Sequence, residues 1–484
     1  MKTKLFLLVL LAIAGPCLSC SGDDGPGIDD VYKPDPDEEK PPFREVKSRP
    51  NATSTAWNFY TAQTVDRLPG FTPSGEPSKS VYGGWKAGAR AATGFFRVEK
   101  IDGRWWIIDP GGDLFIHKAV AVFNPGSSDR QKSALQTTYG SASSWARQET
   151  ERIKSYGFNG AGCWSNVAEL RALSAPPVYC VFLEPMAKLR ARMISDGEDF
   201  SHAGWQGYER DVVMVFDPRF DTYVDNEMKK AEQYKNDKYL LGYFVDNELP
   251  WKDDALDRCL AYFPASHHNH VAAKAWLDAR KGKDASLADV TDADRRAFTG
   301  YYFEAFIKKV AEALRRYDPN HLFLGTKFNQ EDEELANPEI MRVAGQYADI
   351  ISIDHYRSWQ PDQAMMRDWV AWSGKPFMIV EFYVKGEDSG LPNNTGAGWN
   401  VQTQADRGYF YQNFTLELIK SKGCVGWHWF TYQDNDPQNM NTDPSNRDSN
   451  KGIVTWDFQP YRPLLDNMKE LNDHVYQLTR FYDK

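Results

Sequence analysis

Past Gly94 the chain alternates short apolar runs with amphipathic stretches, and this alternation limits the possible folds more than any other feature. The runs lie at 114–120, 160–164, 178–183, 239–245, 322–326, 350–353, 377–380 and 425–429. Helical periodicity fills several of the intervals, as at 303–316. Strand, helix, strand repeated in this way is the pattern of a parallel sheet, and eight such units predict an α/β fold, a (β/α)8 TIM barrel. A hairpin is expected just before it, from 95–98 and 105–108, with Pro110-Gly111-Gly112-Asp113 as its turn. The last helix places Leu464, Met468, Leu471, Val475 and Leu478 on one face by three/four spacing. Residues 91–484 are thus assigned to the barrel. Residues 47–90, which show no strong period, are read as an N-terminal extension packing on its outside.

The 42% hydrophobic and 14% aromatic content of the 484 residues supplies a sizeable core and excludes a disordered chain. A net charge of −10 argues against nucleic acid as a partner, which would call for a basic patch. At the N-terminus two lysines precede ten unbroken apolar residues, 5–14, too few to span a bilayer and suited to a secretion signal. Gly15-Pro16-Cys17-Leu18-Ser19-Cys20 then resembles a bacterial lipobox. Residues 1–19 are therefore read as a lipoprotein signal peptide and Cys20 as the lipidated residue, with plain cleavage near Ser19 as the alternative. From Ser21 to Lys40 there are eight Asp/Glu against two Lys, so 20–46 is expected to be a disordered acidic tether. The expected location is the cell envelope of a Gram-negative bacterium, with membrane contact through the lipid anchor only. Cys163, Cys180, Cys259 and Cys424 lie far apart in apolar or helical contexts and read as core thiols. His267-His268-Asn269-His270 lacks a carboxylate or cysteine at ligand spacing and reads as a surface loop. No metal and no cofactor are expected.

Barrels of this kind do their chemistry at the C-terminal ends of the strands. Strand four runs into Asp246-Asn247-Glu248, and strand seven into Glu381. Two carboxylates facing each other are what a retaining glycosidase needs: one protonates the leaving oxygen, the other attacks the anomeric carbon, at about 5–5.5 Å separation. A second Asp-Asn-Glu triplet, Asp225 to Glu227, runs directly into a polar helical stretch and reads as a solvated helix face. Asn247, beside the acid, is placed to hydrogen-bond a substrate 2-hydroxyl. Glu184 is the competing strand-end acid.

Several stretches resemble one family. They include 102–115, Gly157-Phe158-Asn159, Phe216-Asp217-Pro218-Arg219-Phe220, 242–249, Glu381-Phe382, Asp406-Arg407-Gly408, Gly426 with His428-Trp429-Phe430, and Pro460-Tyr461. Taken in order across 91–484, they resemble the catalytic barrel of the glycoside hydrolase family 50 β-agarases. The resemblance implies clan A chemistry, with Glu248 as acid/base, Glu381 as nucleophile and Tyr356 beside the nucleophile. These agarases usually carry a large β-sandwich domain ahead of the barrel, for which 47–90 is too short. Trp429 is the candidate floor of the sugar site, with Trp427 on the same strand face. Trp164, Asn166, His355, Asn329 and His428 are further candidate substrate contacts, and Trp251 and Trp399 candidate outer subsites. The expected activity is retaining hydrolysis of β-linked galactans, foremost the β-1,4 bonds of agarose-type polysaccharide or oligosaccharides. Another clan A β-glycosidase, or a non-catalytic surface glycan-binding lipoprotein, is the alternative.

Overall fold

The eight apolar runs become the staves of a curled parallel sheet. In the computed structural model, which describes residues 41–86, 90–330 and 333–484, these are β1 His117–Val120, β2 Gly160–Ala161, β3 Val178–Leu183 and β4 Leu240–Val245. They continue with β5 in two pieces, Leu322–Phe323 and Lys327–Asn329, then β6 Ile351–Asp354, β7 Phe377–Glu381 and β8 Cys424–Trp429. Neighbours pair in parallel, β8 pairs with β1, and the sheet begins and ends on the two pieces of β5. The first piece pairs with β4 and the second with β6, so one broken strand closes the seam of a TIM-barrel-like fold. The break falls at Gly325, whose φ of +77° is disfavoured for any residue with a Cβ. The ladder to β4 continues across it, with Leu324 N–H donating to Tyr243 O and Val245 N–H to Gly325 O.

Long helices cover the outside. Asp292–Tyr317 starts at a capping box between Thr291 and Asp294, eleven residues before the predicted start at 303. Gln404–Lys420 packs against the closing helix Arg462–Asp483. The apolar stripe of that closing helix, from Leu464 to Leu478, is fully buried. No helix among the described residues is long and apolar enough to cross a membrane.

The hairpin differs from the expectation in its turn. Arg97–Ile101 and Arg104–Ile108 are joined by Asp102-Gly103, both at positive φ, as a tight hairpin turn requires. Pro110 to Asp113 makes the next turn, into Leu114–Phe115, which pairs back on 104–108. The first apolar run is therefore split at Ile116: its start belongs to this three-stranded sheet and only His117–Val120 to the barrel. Phe96, Ile107 and Phe115 pack with Val178, Leu241, Leu324, Met378 and Val425, so the hairpin plugs one end of the barrel interior.

The N-terminal boundaries also move. The signal peptide, Cys20 and the tether to residue 40 lie outside the described residues. The expected tether end is already a strand, Arg44–Arg49, paired antiparallel with Asn58–Ala62. Arg44–Arg49 also pairs with Trp399–Val401, which itself pairs with Val384–Gly386 just after β7. The extension is therefore structured and buttresses the loop leading out of the seventh strand. Trp359 Nε1 donates to Thr61 O at 2.8 Å, and the Tyr60 ring packs on Trp359 and Trp399.

Candidate active site

The strand ends converge on one buried ammonium. Lys327, at the start of the second piece of β5, is wholly inaccessible to solvent. Its Nζ donates to a carboxylate oxygen of Glu381, pairs with Asp354 Oδ2 at 3.1 Å, and donates to Asn247 Oδ1 at 2.7 Å. It also lies 4.1 Å from the centroid of the Trp164 ring, a cation–π contact in a dry setting. The main chain of the same residue reaches the other glutamate: Glu248 N–H donates to Lys327 O at 2.9 Å. One lysine thus ties together the ends of β4, β6 and β7.

Glu381 ends β7 and is 5% exposed. Its two oxygens accept from different donors, Lys327 on Oε1 and the Tyr356 hydroxyl on Oε2. Both carboxyl oxygens are thus engaged, one by an ammonium and one by a phenol. Tyr356 is buried with it, and burial followed by the Glu381 charge pushes its phenol well above the ordinary range.

Glu248 follows β4 and is also 5% exposed. Its Oε2 accepts from Gln206 Nε2 at 3.1 Å. Burial, reinforced by the negative charge of Glu381, lifts its carboxyl to about 7, against the pull of Lys327 and the Gln206 hydrogen bond. Two carboxyl groups of the same chemistry are thereby separated in role by their surroundings: one is held as an acceptor, the other kept protonated near neutral pH. Asp354, buried at the end of β6, is raised well above its usual range by burial and by Glu381. Lys327 is held above the usual lysine value, because Asp354 and Glu381 more than offset the cost of its burial.

The backbone around the site is contorted. Trp164, Asp246 and Glu248 all sit at φ between 46° and 56°, a conformation that costs a non-glycine residue of order 1–3 kcal/mol each. Asp246 secures its turn by accepting Met186 N–H and Ala187 N–H at 3.1 and 3.0 Å, at the N-terminus of the helix Pro185–Ser195. Burial raises Asp246 to about 7, and those two N–H groups oppose the rise.

The remaining expected contacts divide. Asn247 and Trp164 meet at Lys327. Asn329 ends β5 opposite Asp354 and is buried there. Asn166 instead caps a short helix, accepting Glu169 N–H. Five residues proposed as sugar contacts lie in the protein core. Trp251 is fully buried among Tyr302, Phe303 and Phe306. Trp429 is fully buried beside Phe382 and Tyr411, its Nε1 donating to Lys451 O. Trp399 is 8% exposed and packs on Tyr60 and Trp359. His355 packs on Phe414. His428 points into the barrel interior, its Nε2 2.9 Å from His117 Nδ1. With Cys180, these two histidines form the one cluster of potential metal-ligand atoms among the described residues. Their mutual hydrogen bond and the packing of that interior assign them to the core. The shared reason is that an aromatic or imidazole ring can be buried by protein as well as by sugar, and the sequence does not say which.

Other readings also shift. The His267 stretch begins a helix, with His267 as N-cap and Asn269 buried, instead of forming a loop. Glu227 of the second triplet is buried, not solvated, and pairs with Lys230. Cys163, Cys180, Cys259 and Cys424 are free and buried. Lys327, Asp354 and Gln206 were not anticipated. Asp354 follows an apolar strand as Glu248 and Glu381 do, so the same strand-end rule applied to strand six finds it.

No family model matches the chain. Two curated relatives from Vibrio sp. (strain JT0107) do. β-Agarase B is 28% identical over 503 residues, covering 83% of this chain and 50% of its own. β-Agarase A is 26% identical over 388 residues, covering 71% and 37%. The chain thus spans half or less of the curated relatives it matches. Among solved structures, BpGH50 superposes with a TM-score of 0.80 at 28% identity, covering 91% of this chain and 96% of that one. An exo-β-agarase structure shares the fold with a TM-score of 0.70 at 21% identity, covering 83% and 68%. In sequence this chain is similar to β-agarases, and in fold it is similar to BpGH50.

Proposed function

We propose that the protein is a retaining glycoside hydrolase that cleaves β-linked galactan, foremost the β-1,4 bonds of agarose-type chains. One observation carries this reading. Two buried glutamates at the ends of β4 and β7 have different surroundings, Glu381 held by the Lys327 ammonium and the Tyr356 hydroxyl, Glu248 raised towards its protonated form by burial next to Glu381. The β-agarase relatives supply the substrate class.

In the first step Glu381 attacks the anomeric carbon while Glu248 gives its proton to the departing glycosidic oxygen. The product is a glycosyl ester on Glu381 and a free sugar hydroxyl. Glu248, now a carboxylate, then takes a proton from water, whose oxygen attacks the same carbon and releases Glu381. Asn247 presents its amide NH2 to the sugar 2-hydroxyl, because its oxygen is occupied by Lys327. Product analysis after digestion of several red-algal polysaccharides tests the substrate. Cleavage confined to a non-galactan chain would refute the galactan reading. Proton NMR of early turnover tests the stereochemistry: the β-anomer is expected first, and an α-anomer would exclude retention.

The pH profile follows from the acid. Glu248 must be protonated to assist departure, so kcat/KM is expected to fall as pH rises through about 7. Gln206 favours the charged form by donating to it, so Gln206→Ala should move that alkaline limb upward. An unmoved or lowered limb would show that Gln206 does not act on this proton. For location, the reading is an envelope lipoprotein held by acylated Cys20. Cys20→Ala is expected to transfer the protein from the membrane to the soluble fraction, and an unsubstituted protein found soluble after processing would contradict the anchor.

A further inference from the structure

The residue that touches the acid/base sits at the tip of a small hairpin. Ala203 and Glu209 pair antiparallel, and Gly207 N–H donates to Gly204 O at 2.9 Å, closing a turn with Trp205 and Gln206 at its two central positions. The hairpin is firmly held. Arg190 Nη1 donates to Gln206 O at 2.6 Å, His202 N–H donates to Glu209 Oε2 at 2.8 Å, and Tyr208 is buried beneath. Gly207 lies at φ +75°, a conformation disfavoured for any residue with a Cβ. Gln206 points inward to Glu248. Trp205 is 71% exposed, the most exposed tryptophan among the large hydrophobic side chains that face solvent in the described residues.

A large indole on a braced turn loses little further freedom when it binds, and leaving it in water is unfavourable unless something covers it. Its place fixes what that would be. Its neighbour Gln206 touches Glu248, the group that protonates the leaving oxygen, so the turn borders the site at the acid, where the sugar beyond the bond being cut departs. We propose that Trp205 is the stacking platform of a leaving-group subsite, receiving the apolar C–H face of a galactan residue on the reducing-end side of the cleaved bond. Gln206 is the positioning residue that couples this subsite to the acid. The proposal rests on the hydrolase reading above and extends it to a substrate that continues past the point of cleavage.

The test compares two substrates. An agarose-derived hexasaccharide has sugars beyond the bond, whereas β-galactosyl fluoride has a leaving group that ends at Glu248. Truncating an aromatic anchor of this type costs roughly tenfold or more. For Trp205→Ala, the ratio of kcat/KM on hexasaccharide to kcat/KM on the fluoride is expected to fall about tenfold, and Trp205→Phe to keep most of the ratio. Transfer of galactosyl groups to added oligosaccharide acceptor should decline with the same variant. An unchanged hexasaccharide rate overturns the subsite. Parallel losses on both substrates also overturn it, since they would mean that the hairpin only supports Glu248. If the unsubstituted enzyme cuts a different β-linked oligosaccharide and no galactan, the galactan reading fails. The same ratio measured on that oligosaccharide then decides the subsite on its own.

Discussion

Replacing Glu381 by alanine is expected to lower kcat on polysaccharide by on the order of 10^5-fold, because no other group can form the glycosyl ester. Azide should restore turnover in this variant by entering the vacated space, and the product should be the inverted glycosyl azide. Glu248→Ala is expected to behave differently. Its loss should be on the order of 10^2–10^4-fold on natural linkages, and small for the first step on an aryl galactoside whose leaving group needs no proton. Azide should rescue it with retained configuration, since the ester on Glu381 is still formed. The two rescue products separate the roles: the same configuration from both variants would sink the assignment.

Lys327→Met should produce the largest loss of stability of any substitution in the site. Lys327 is the shared cation of Asp354 and Glu381, and both acids are buried, Asp354 completely. Removing one partner of a buried pair costs about 3–5 kcal/mol, mostly through the charge left behind. Denaturant unfolding reads this directly. Adding Asp354→Asn removes one of the stranded acids, so the double variant should regain part of that stability while remaining catalytically impaired. Additive losses in the double variant would mean that the three groups are not coupled.

The two strand-end glutamates were legible because burial makes an acid conspicuous. Val245 and Val380 close two apolar runs, and acids within three residues of such an end, Asp246 and Glu248 after the first and Glu381 after the second, have to be in a site or in a pair. Asp354 obeys the same rule, ending the apolar run of strand six just before His355 and Tyr356. Lys327 was not legible. A lysine after an apolar run ordinarily ends a strand by reaching for solvent. Only the break at Gly325 and the closure of the sheet turn it inward to meet three other strands. Gln206 carried no signal, lying in a polar stretch 42 residues from Glu248 in sequence. The tryptophans show the opposite failure. Trp251 and Trp429 have the type of a sugar platform and are core, whereas Trp205, with no mark in the sequence, is 71% exposed. Residue type gives the capacity to stack, and the partner is decided by packing.

The broken fifth strand ties foldedness to activity. The piece that completes the sheet against β6 is the same piece whose carbonyl holds the Glu248 backbone and whose ammonium holds Glu381. A chain with every other stave in place but this seam unzipped would retain most of its helices and most of its core. It would nevertheless have neither carboxylate in register. A molecule lacking this one pairing is therefore expected to be catalytically silent, however much of the rest is folded. In a renaturation experiment, helical signal and hydrolysis should accordingly rise on separate clocks, hydrolysis being the later.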